Sequence, residues 1–362
     1  MQNRNKCNYI SIAKAIGIIL MVMGHSGSPN VLSRFLYMFH MPLFFICSGY
    51  FFKEMTNTIM LKAFYQKKVK RLYLPYLRWS LLFLILHNLF FQIDIYNSLS
   101  HSYVYSATDF FRQLARTIFM TDFELLIRPF WFIKELLLAS FLIAIISYLR
   151  TKVCQKLNNE LLIVIMVLVT TGFKYVNLHL YIIGDCSVLT FSAVYFYSGI
   201  AFRKYEYRIP NTTFITCLTF LTTFIGSYYF IGEIDMRYTT ENNLILYYLL
   251  SLSGVIMTFN VSKWLNNISF NTYLYYIGSH TMPILALNLL ALKVGNLIKI
   301  WMYDMPINTL SSYTVIYEYN NYFWVLYTII GVAIPLICYS LHNNITQKMK
   351  IIKNKVCCFK KK

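Results

Sequence analysis

The sequence predicts an all-α protein: a polytopic membrane helix bundle of about ten transmembrane helices, with both termini cytoplasmic. Charged residues make up 13% of the 362 residues and hydrophobic residues 57%, and the mean hydropathy is +0.51. Soluble globular chains carry about 25% charged residues. Apolar runs of about 20 residues, the length that crosses a bilayer, recur along the whole chain. Composition and run length together exclude an ordinary soluble protein.

The apolar runs predict ten helices in order along the chain. Their approximate limits are residues 9–26, 33–52, 72–93, 129–149, 160–176, 186–202, 212–232, 243–261, 271–292 and 322–341. The first run is short, and we expect a broken or re-entrant piece between Tyr175 and Asp185. No segment has the composition of a separate soluble domain. The sequence therefore predicts one integral-membrane domain over 1–345 and a basic cytoplasmic tail over 346–362.

The basic residues between the apolar runs predict the orientation. If the N-terminus is inside, cytoplasmic segments hold 22 of the 33 Lys and Arg residues and the opposite side holds eight. Such an excess obeys the positive-inside rule. The loops at 94–128 and 293–321 are then the longest external ones. The net charge of +19 does not indicate a nucleic-acid partner, because the basic residues lie between membrane spans rather than on one soluble face.

The eight cysteines are scattered along the chain, and none forms a C-x-x-C pair or a Cys/His spacing typical of a metal site. We therefore expect neither a bound metal nor a disulfide framework.

Two ionisable side chains, Lys14 and His25, lie in the first apolar run. Eleven residues of helix rise roughly 16 Å and end about 20° from three full turns, so both side chains are expected on one face. Ionisable groups in a membrane helix are candidates for function. Lys14 can pair with a phosphate, and a neutral His25 can take a proton from a hydroxyl group. The alternatives are a snorkelling Lys14 and a His25 that only packs against neighbouring helices.

Other candidates lie in the next two runs. His40 precedes Pro42 at a helix start, where it either binds an acceptor or fixes the entry of the helix. Arg71 and Arg78 are seven residues apart, a spacing that places them on one helix face, and both are candidates to line a donor channel. Arg71 alone also fits a positive-inside residue.

The middle of the chain adds two more candidates. Trp131 is a candidate for acceptor binding or an interfacial anchor. Glu135 follows Lys134 and is a candidate to orient His25. Asp235 and Arg237 form either a solvated loop pair or a site that recognises a glycan.

Ordered motifs along nearly the whole chain carry a family resemblance. They are Lys14-Ala15-Ile16-Gly17-Ile18-Ile19-Leu20, Gly24-His25, Phe39-His40-Met41-Pro42-Leu43-Phe44-Phe45 with Ser48-Gly49-Tyr50, Lys70-Arg71-Leu72-Tyr73-Leu74-Pro75-Tyr76, Pro129-Phe130-Trp131-Phe132-Ile133, Tyr195-Phe196-Tyr197-Ser198-Gly199, and Ile277-Gly278-Ser279-His280-Thr281. This set resembles acyltransferase family 3, and within it the fucose 4-O-acetylase-like branch. Those proteins are ten-helix membrane enzymes that move an acyl group, usually acetyl from acetyl-CoA, onto sugar hydroxyls of surface glycans.

The resemblance implies an O-acetyltransferase of the plasma (bacterial inner) membrane. Acetyl-CoA would be the donor, and the acceptor would be a polysaccharide or its lipid-linked precursor. His25 would act as general base or as part of an acyl-histidine relay, and Lys14 would bind the donor. Two positions depart from the pattern. Lys14 stands where many relatives have Arg, and Asn288, which can hydrogen-bond an acceptor but cannot exchange a proton, stands where the branch often has His.

A glycan or lipid exporter without acyl-transfer activity is the rival interpretation. Transporters of that kind are commonly built from internal repeats with helices broken at matching places in two halves. The early motifs do not recur in the second half of this chain. The sequence therefore favours the enzyme, and it leaves the oligomeric state open.

Overall fold

The computed structural model describes residues 2–97, 100, 102–153, 158–238, 243–269, 271–319 and 321–359. The side chains of 2–8, 153 and 347–359 lie outside this description. They include Arg4, Lys6 and most of the basic tail, which contributed to the predicted orientation.

The described part of the chain is a bundle of α-helices with one small hairpin. Its apolar core runs through the centre of the bundle and is rich in buried Phe and Tyr. In chain order the helices are α1 Gln2–His25, α2 Asn30–Tyr50, α3 Thr58–Lys68, α4 Leu74–Gln92, α5 Ala107–Ile118, α6 Trp131–Val153, α7 Asn159–Val176, α8 Cys186–Tyr205, α9 Thr213–Tyr229, α10 Leu244–Leu265, α11 Asn271–Ser279, α12 Thr281–Tyr303 and α13 Phe323–Phe359.

Seven helices in the described residues are long and apolar enough to cross a membrane. They begin at Asn30, Thr58, Leu125, Asn159, Leu244, Thr281 and Phe323. The other three predicted spans fall on α1, whose apolar part is the shorter segment Tyr9–His25, and on α8 and α9. Helices α7 and α13 expose large apolar side chains such as Leu168 and Ile329, as helices that face lipid do. The all-α membrane bundle is confirmed, whereas the number of ten spans stays a prediction.

Several predicted boundaries are wrong. The third span begins at Thr58 rather than at residue 72, because α3 and α4 are joined by a π-helical turn over Val69–Tyr73. The ninth span is divided at His280, and its second part continues to Tyr303. The piece expected to be broken or re-entrant, which ends at Asp185, is an antiparallel hairpin of β1 (His179–Leu180) and β2 (Gly184–Asp185). The last helix continues to Phe359, through most of the predicted tail.

The segment 94–128 contains helix α5 and folds back along α4, and its external position stays a prediction. Tyr105 exchanges two backbone–side-chain hydrogen bonds with Asn88 near the end of α4, at 2.8 and 3.0 Å. At the other end of α5, the Tyr73 hydroxyl donates to the Ile118 carbonyl at 2.9 Å. Helix α5 is therefore antiparallel to α4 and returns the chain to the start of that helix.

Glycines permit the closest helix crossings. A Cβ atom on Gly49 of α2 would lie 1.8 Å from the carbonyl oxygen of Phe196 in α8, where Gly199 completes the crossing. A Cβ on Gly278 of α11 would lie 1.7 Å from the Ser11 carbonyl oxygen of α1. Small residues let membrane helices approach this closely, so the crossings hold α1, α2, α8 and α11 together.

We expect Gly49→Ala to lower the thermal stability of the purified protein. The added methyl would meet a backbone atom, so whole helices must separate, at a cost towards the upper end of the roughly 1–3 kcal/mol typical of overpacking. Gly172→Ala in α7 is the matched control, because a Cβ there meets no atom within 4 Å. We expect that variant to be neutral or slightly stabilising. Equal melting temperatures for the two variants would contradict the close crossing.

A carboxylate joins the ends of four helices at one end of the bundle. Glu206, just after α8, accepts hydrogen bonds from the hydroxyls of Tyr9 in α1 (2.8 Å) and Tyr50 in α2 (2.7 Å). Lys263 at the end of α10 pairs with it at 3.1 Å. Burial raises the pKa of the Glu206 carboxyl, but the hydrogen bonds from Tyr50, Tyr9 and Lys263 outweigh that effect and hold the pKa below its usual value. Glu206 therefore stays ionised and keeps all three partners.

Cysteine labelling tests the predicted orientation. In a background with the native cysteines replaced, we expect Asn308→Cys to react with an impermeant thiol reagent on intact cells. We expect Lys204→Cys to react only after permeabilisation. Both positions are exposed, so access across the membrane decides the result. The reverse pattern would place the loop after α2 on the outer side of the membrane.

Candidate active site

A cavity of about 640 Å³ lies among α1, α2, α3, α6 and α12. Five cations line it: Lys14, Lys53, Lys67, Lys68 and Arg71. No Asp or Glu is among its described lining residues. The remaining wall is mostly apolar and includes Phe44 from α2 and Phe132 from α6. We refer to it as the basic cavity; its volume suits a small-molecule ligand with an anionic and an apolar part.

Helix α1 connects the basic cavity to His25. Lys14, Ile18 and Met21 all line the cavity, and their spacing of four and three residues forms one helix face. His25 is the next residue on that face, one turn beyond Met21. The cavity therefore extends along α1 from Lys14 towards His25, as the eleven-residue spacing predicts.

Charged and aromatic side chains gather around His25. His40, Asp235 and Arg237 lie near enough for their charges to act on its ring. Asp235 and Arg237 pair at 2.7 Å, and the Arg237 guanidinium lies 4.5 Å from the centre of the Trp131 ring. These five residues form what we term the His25 cluster. It brings together residues from α1, α2, α6 and the segment between α9 and α10.

The hydrogen bonds of His40 fix its tautomer when the ring is neutral. Its Nδ1 lies 2.8 Å from the Leu36 carbonyl oxygen, which can only accept, so Nδ1 carries the proton. Nε2 then presents a free lone pair. Tyr37 packs edge-on against the His40 ring at 5.0 Å, and a Cβ on Gly24 would lie 2.9 Å from the Tyr37 ring. Gly24 therefore gives Tyr37 the space to lie beside His25.

His25 itself has no side-chain hydrogen bond to the part of the chain that the structure describes, so neither ring nitrogen has a protein partner there. His25, by contrast with His40, has no backbone carbonyl that selects one tautomer.

The three residues predicted to bind the donor do not all lie at the basic cavity. Lys14 and Arg71 both line the basic cavity. Arg78 is exposed and does not line the basic cavity, so its assignment to the donor channel with Arg71 stays a prediction. The π-helical turn over Val69–Tyr73 explains the difference, because it contains Arg71 and changes the rotation per residue.

Glu135 is buried on α6, one turn after Trp131. The charges that act on it are those of Lys134 and Asp185, and its Oε2 has no hydrogen-bond partner among the described residues. No described contact joins Glu135 to His25, so the interpretation that Glu135 orients His25 stays a prediction. On α6 the cavity-facing residues are Phe132, Ile133 and Leu136, and Glu135 points about 100° away from their common direction.

Asn288 is fully buried on α12. Its amide group donates to the carbonyl oxygens of Ile284 (3.0 Å) and Leu285 (2.8 Å) in its own helix. Its Oδ1 has no partner among the described residues. Leu285 lines the basic cavity, so Asn288 lies one turn beyond it with only an acceptor atom unused. Its assignment to acceptor binding stays a prediction.

Sequence reasoning did not assign Lys53, Lys67 and Lys68 to a site, because they were counted only as loop charges. A signal was present: Lys67, Lys68 and Arg71 are spaced so that they share one side of a helix. Asp235 and Arg237 were considered as either a solvated loop pair or a site that recognises a glycan, and only the fold brings them to His25.

The chain matches the family model of acyltransferase 3, described as an acyltransferase domain, over residues 8–342. Comparisons with curated proteins and with solved structures gave no match. The matched stretch contains all residues of the basic cavity and of the His25 cluster. With most of its length matched and seven helices able to cross a membrane, this chain belongs to acyltransferase family 3, a family of membrane acyltransferases.

Proposed function

We propose that the protein is a membrane O-acyltransferase that moves an acyl group, acetyl in the simplest case, from acyl-CoA to a hydroxyl of a sugar. The acceptor would be a cell-surface polysaccharide or its lipid-linked precursor, as in the fucose 4-O-acetylase-like branch, and the location would be the plasma membrane. One observation carries the proposal: a five-cation cavity without a lining carboxylate extends along α1 to the turn before His25.

The basic cavity suits the donor. Coenzyme A carries several phosphates at one end and an uncharged pantetheine arm at the other. Lys and Arg side chains bind phosphate through charge-assisted hydrogen bonds. The five cations, Lys14 among them, would hold the phosphates, while Met21 and Phe44 line a path for the arm. This arrangement directs the thioester towards His25.

The His25 cluster suits the acceptor. Trp131 presents an aromatic face beside the paired Asp235 and Arg237. Aromatic faces with a few fixed polar groups are typical of sites that orient a small polar ligand. His40 offers the lone pair of Nε2 to an acceptor hydroxyl.

His25 would act as general base. As the acceptor oxygen attacks the thioester carbonyl carbon, His25 takes the hydroxyl proton, and the C–S bond breaks. The departing CoA thiolate then takes that proton from His25, so the ring returns to its neutral form. In the alternative, His25 is itself acylated and passes the acyl group on. Exchange of labelled CoA into acetyl-CoA without an acceptor separates the two, because only the relay releases CoA reversibly before the acceptor binds.

The deciding experiment uses the purified full chain in detergent and in vesicles. We expect it to transfer labelled acetyl from acetyl-CoA to a glycan acceptor, and to hydrolyse acetyl-CoA slowly when no acceptor is added. The rival exporter would move a glycan across vesicles without acylating it. Well-folded protein that neither transfers nor hydrolyses acetyl, and that moves a glycan across the vesicle membrane, would contradict the enzyme and support the transporter.

A further inference from the structure

Two lysines of α12 are buried, and neither forms an ion pair with a carboxylate of the described residues. Lys293 is 2% exposed and Lys299 is 0% exposed. A buried charge is costly unless polar groups surround it. Lys293 donates to the carbonyl oxygens of Leu310, at 3.0 Å, and of Ser312. Lys299 donates to the Ile316 carbonyl at 2.7 Å. Both amines therefore donate hydrogen bonds to the backbone of the segment that follows α12.

Asn296 lies between the two lysines on the same side of α12. Its Oδ1 accepts hydrogen bonds from the Ile316 backbone N–H at 3.2 Å and from the Tyr327 hydroxyl at 2.7 Å. Three side chains spaced by three residues thus hold one short stretch of backbone. We call Lys293, Asn296 and Lys299 the α12 anchors.

The anchored backbone groups immediately precede two tyrosines. Ser312 precedes Tyr313, and Ile316 precedes Tyr317. Both tyrosines lie within electrostatic range of Tyr37, the ring that packs on His40. Tyr313 also lies within range of Arg237. The anchors therefore bring two aromatic side chains from a loop to the edge of the His25 cluster.

Tyr313 and Tyr317 are only partly covered by neighbouring residues. Their exposed fractions are 38% and 69%, which leaves ring surface free at the edge of the site. The Arg128 guanidinium lies 5.4 Å from the Tyr313 ring centre and holds it from the side. The backbone before Tyr313 is held by hydrogen bonds and one face of its ring is held by Arg128. The exposed part of such a ring suits contact with a ligand.

We propose that Tyr313 and Tyr317 form the acceptor-facing wall of the site and select the acceptor sugar, and that the α12 anchors are positioning residues for this wall. The inference rests on the proposed acyl transfer. It assigns acceptor selection to residues 312–317, which do not line the basic cavity. The donor half of the reaction does not involve these residues.

The test uses the full chain with acetyl-CoA and a panel of methyl glycosides that differ in sugar and in hydroxyl configuration. We expect Tyr313→Ala and Tyr317→Ala to raise the acceptor KM about 10-fold and to flatten the preference among glycosides. The phenylalanine variants should keep the preference, because they keep the ring. The KM for acetyl-CoA and its slow hydrolysis without acceptor should not change.

Lys293→Met tests the positioning role. We expect the same rise in acceptor KM as in Tyr313→Ala. The double variant Lys293→Met, Tyr313→Ala should have no higher acceptor KM than either single variant, because both changes remove the same contact between Tyr313 and the acceptor. Lys204→Met, an exposed lysine outside the basic cavity and the His25 cluster, is the control. A Lys293→Met protein that fails to fold leaves the decision to the two tyrosine variants.

Unchanged acceptor preference in both tyrosine variants would overturn the proposal, and so would equal losses of donor hydrolysis and transfer. Absence of any acetyl transfer by the unmodified protein would instead contradict the proposed function. The two failures are therefore distinguishable.

Discussion

We expect His25→Ala to reduce acyl transfer by about 10²- to 10⁴-fold, the usual loss when a general base is removed. His25 is the residue at which the α1 face of the basic cavity meets the His25 cluster. Its removal leaves the donor cations and the acceptor side untouched. Binding of acetyl-CoA, measured by titration in detergent, should therefore stay within a factor of about two of the unmodified protein.

His342→Ala is the control for this change. His342 is exposed on α13, outside the basic cavity and the His25 cluster, so its loss should leave transfer unchanged. Expression and melting temperature should match in the two variants, because His25 makes no hydrogen bond to the described residues. Transfer near the normal rate by well-folded His25→Ala protein would remove His25 from the mechanism. In that case His40, whose Nε2 lone pair is free, becomes the base to test.

Much of the fold follows from apolar run length, because a membrane helix must satisfy its own backbone groups and cannot be short. Helix α5 in segment 94–128 was missed because it carries Asp109, Arg112 and Arg116, which made the segment resemble a solvated loop. A helix start was visible there: Ser106 and Asp109 have the spacing of a capping box, and the structure contains both of its hydrogen bonds.

The placement of candidate residues was predictable where a single helix determines it. The shared face of Lys14 and His25 needed only the 3.6-residue repeat of α1. Placement was not predictable where that repeat is interrupted or where tertiary contacts decide. The π turn at Val69–Tyr73 separated Arg78 from Arg71, and no local pattern brings Arg237 to His25. These contacts depend on how α2, α6 and the segment before α10 meet.

We expect Lys14→Ala to raise the KM for acyl-CoA about 10- to 100-fold with a much smaller change in kcat. A phosphate contact contributes equally to the bound donor and to the transition state, so its loss appears in KM. The size corresponds to one lost charge-assisted hydrogen bond of about 1.5–3 kcal/mol. Lys14→Arg should be tolerated, because Arg keeps the charge and adds a second donor that matches phosphate geometry.

Steady-state kinetics with acetyl-CoA at low and high salt measure this prediction. Because Lys14 shares the basic cavity with four other cations, the unmodified protein should lose donor affinity as salt rises, and Lys14→Ala should lose less. Lys62→Ala removes an exposed lysine of α3 that does not line the cavity, so it controls for general surface charge. An unchanged KM in Lys14→Ala would show that Lys14 only snorkels to the headgroups, and the donor phosphates would then have to be held by the α3 end of the cavity alone.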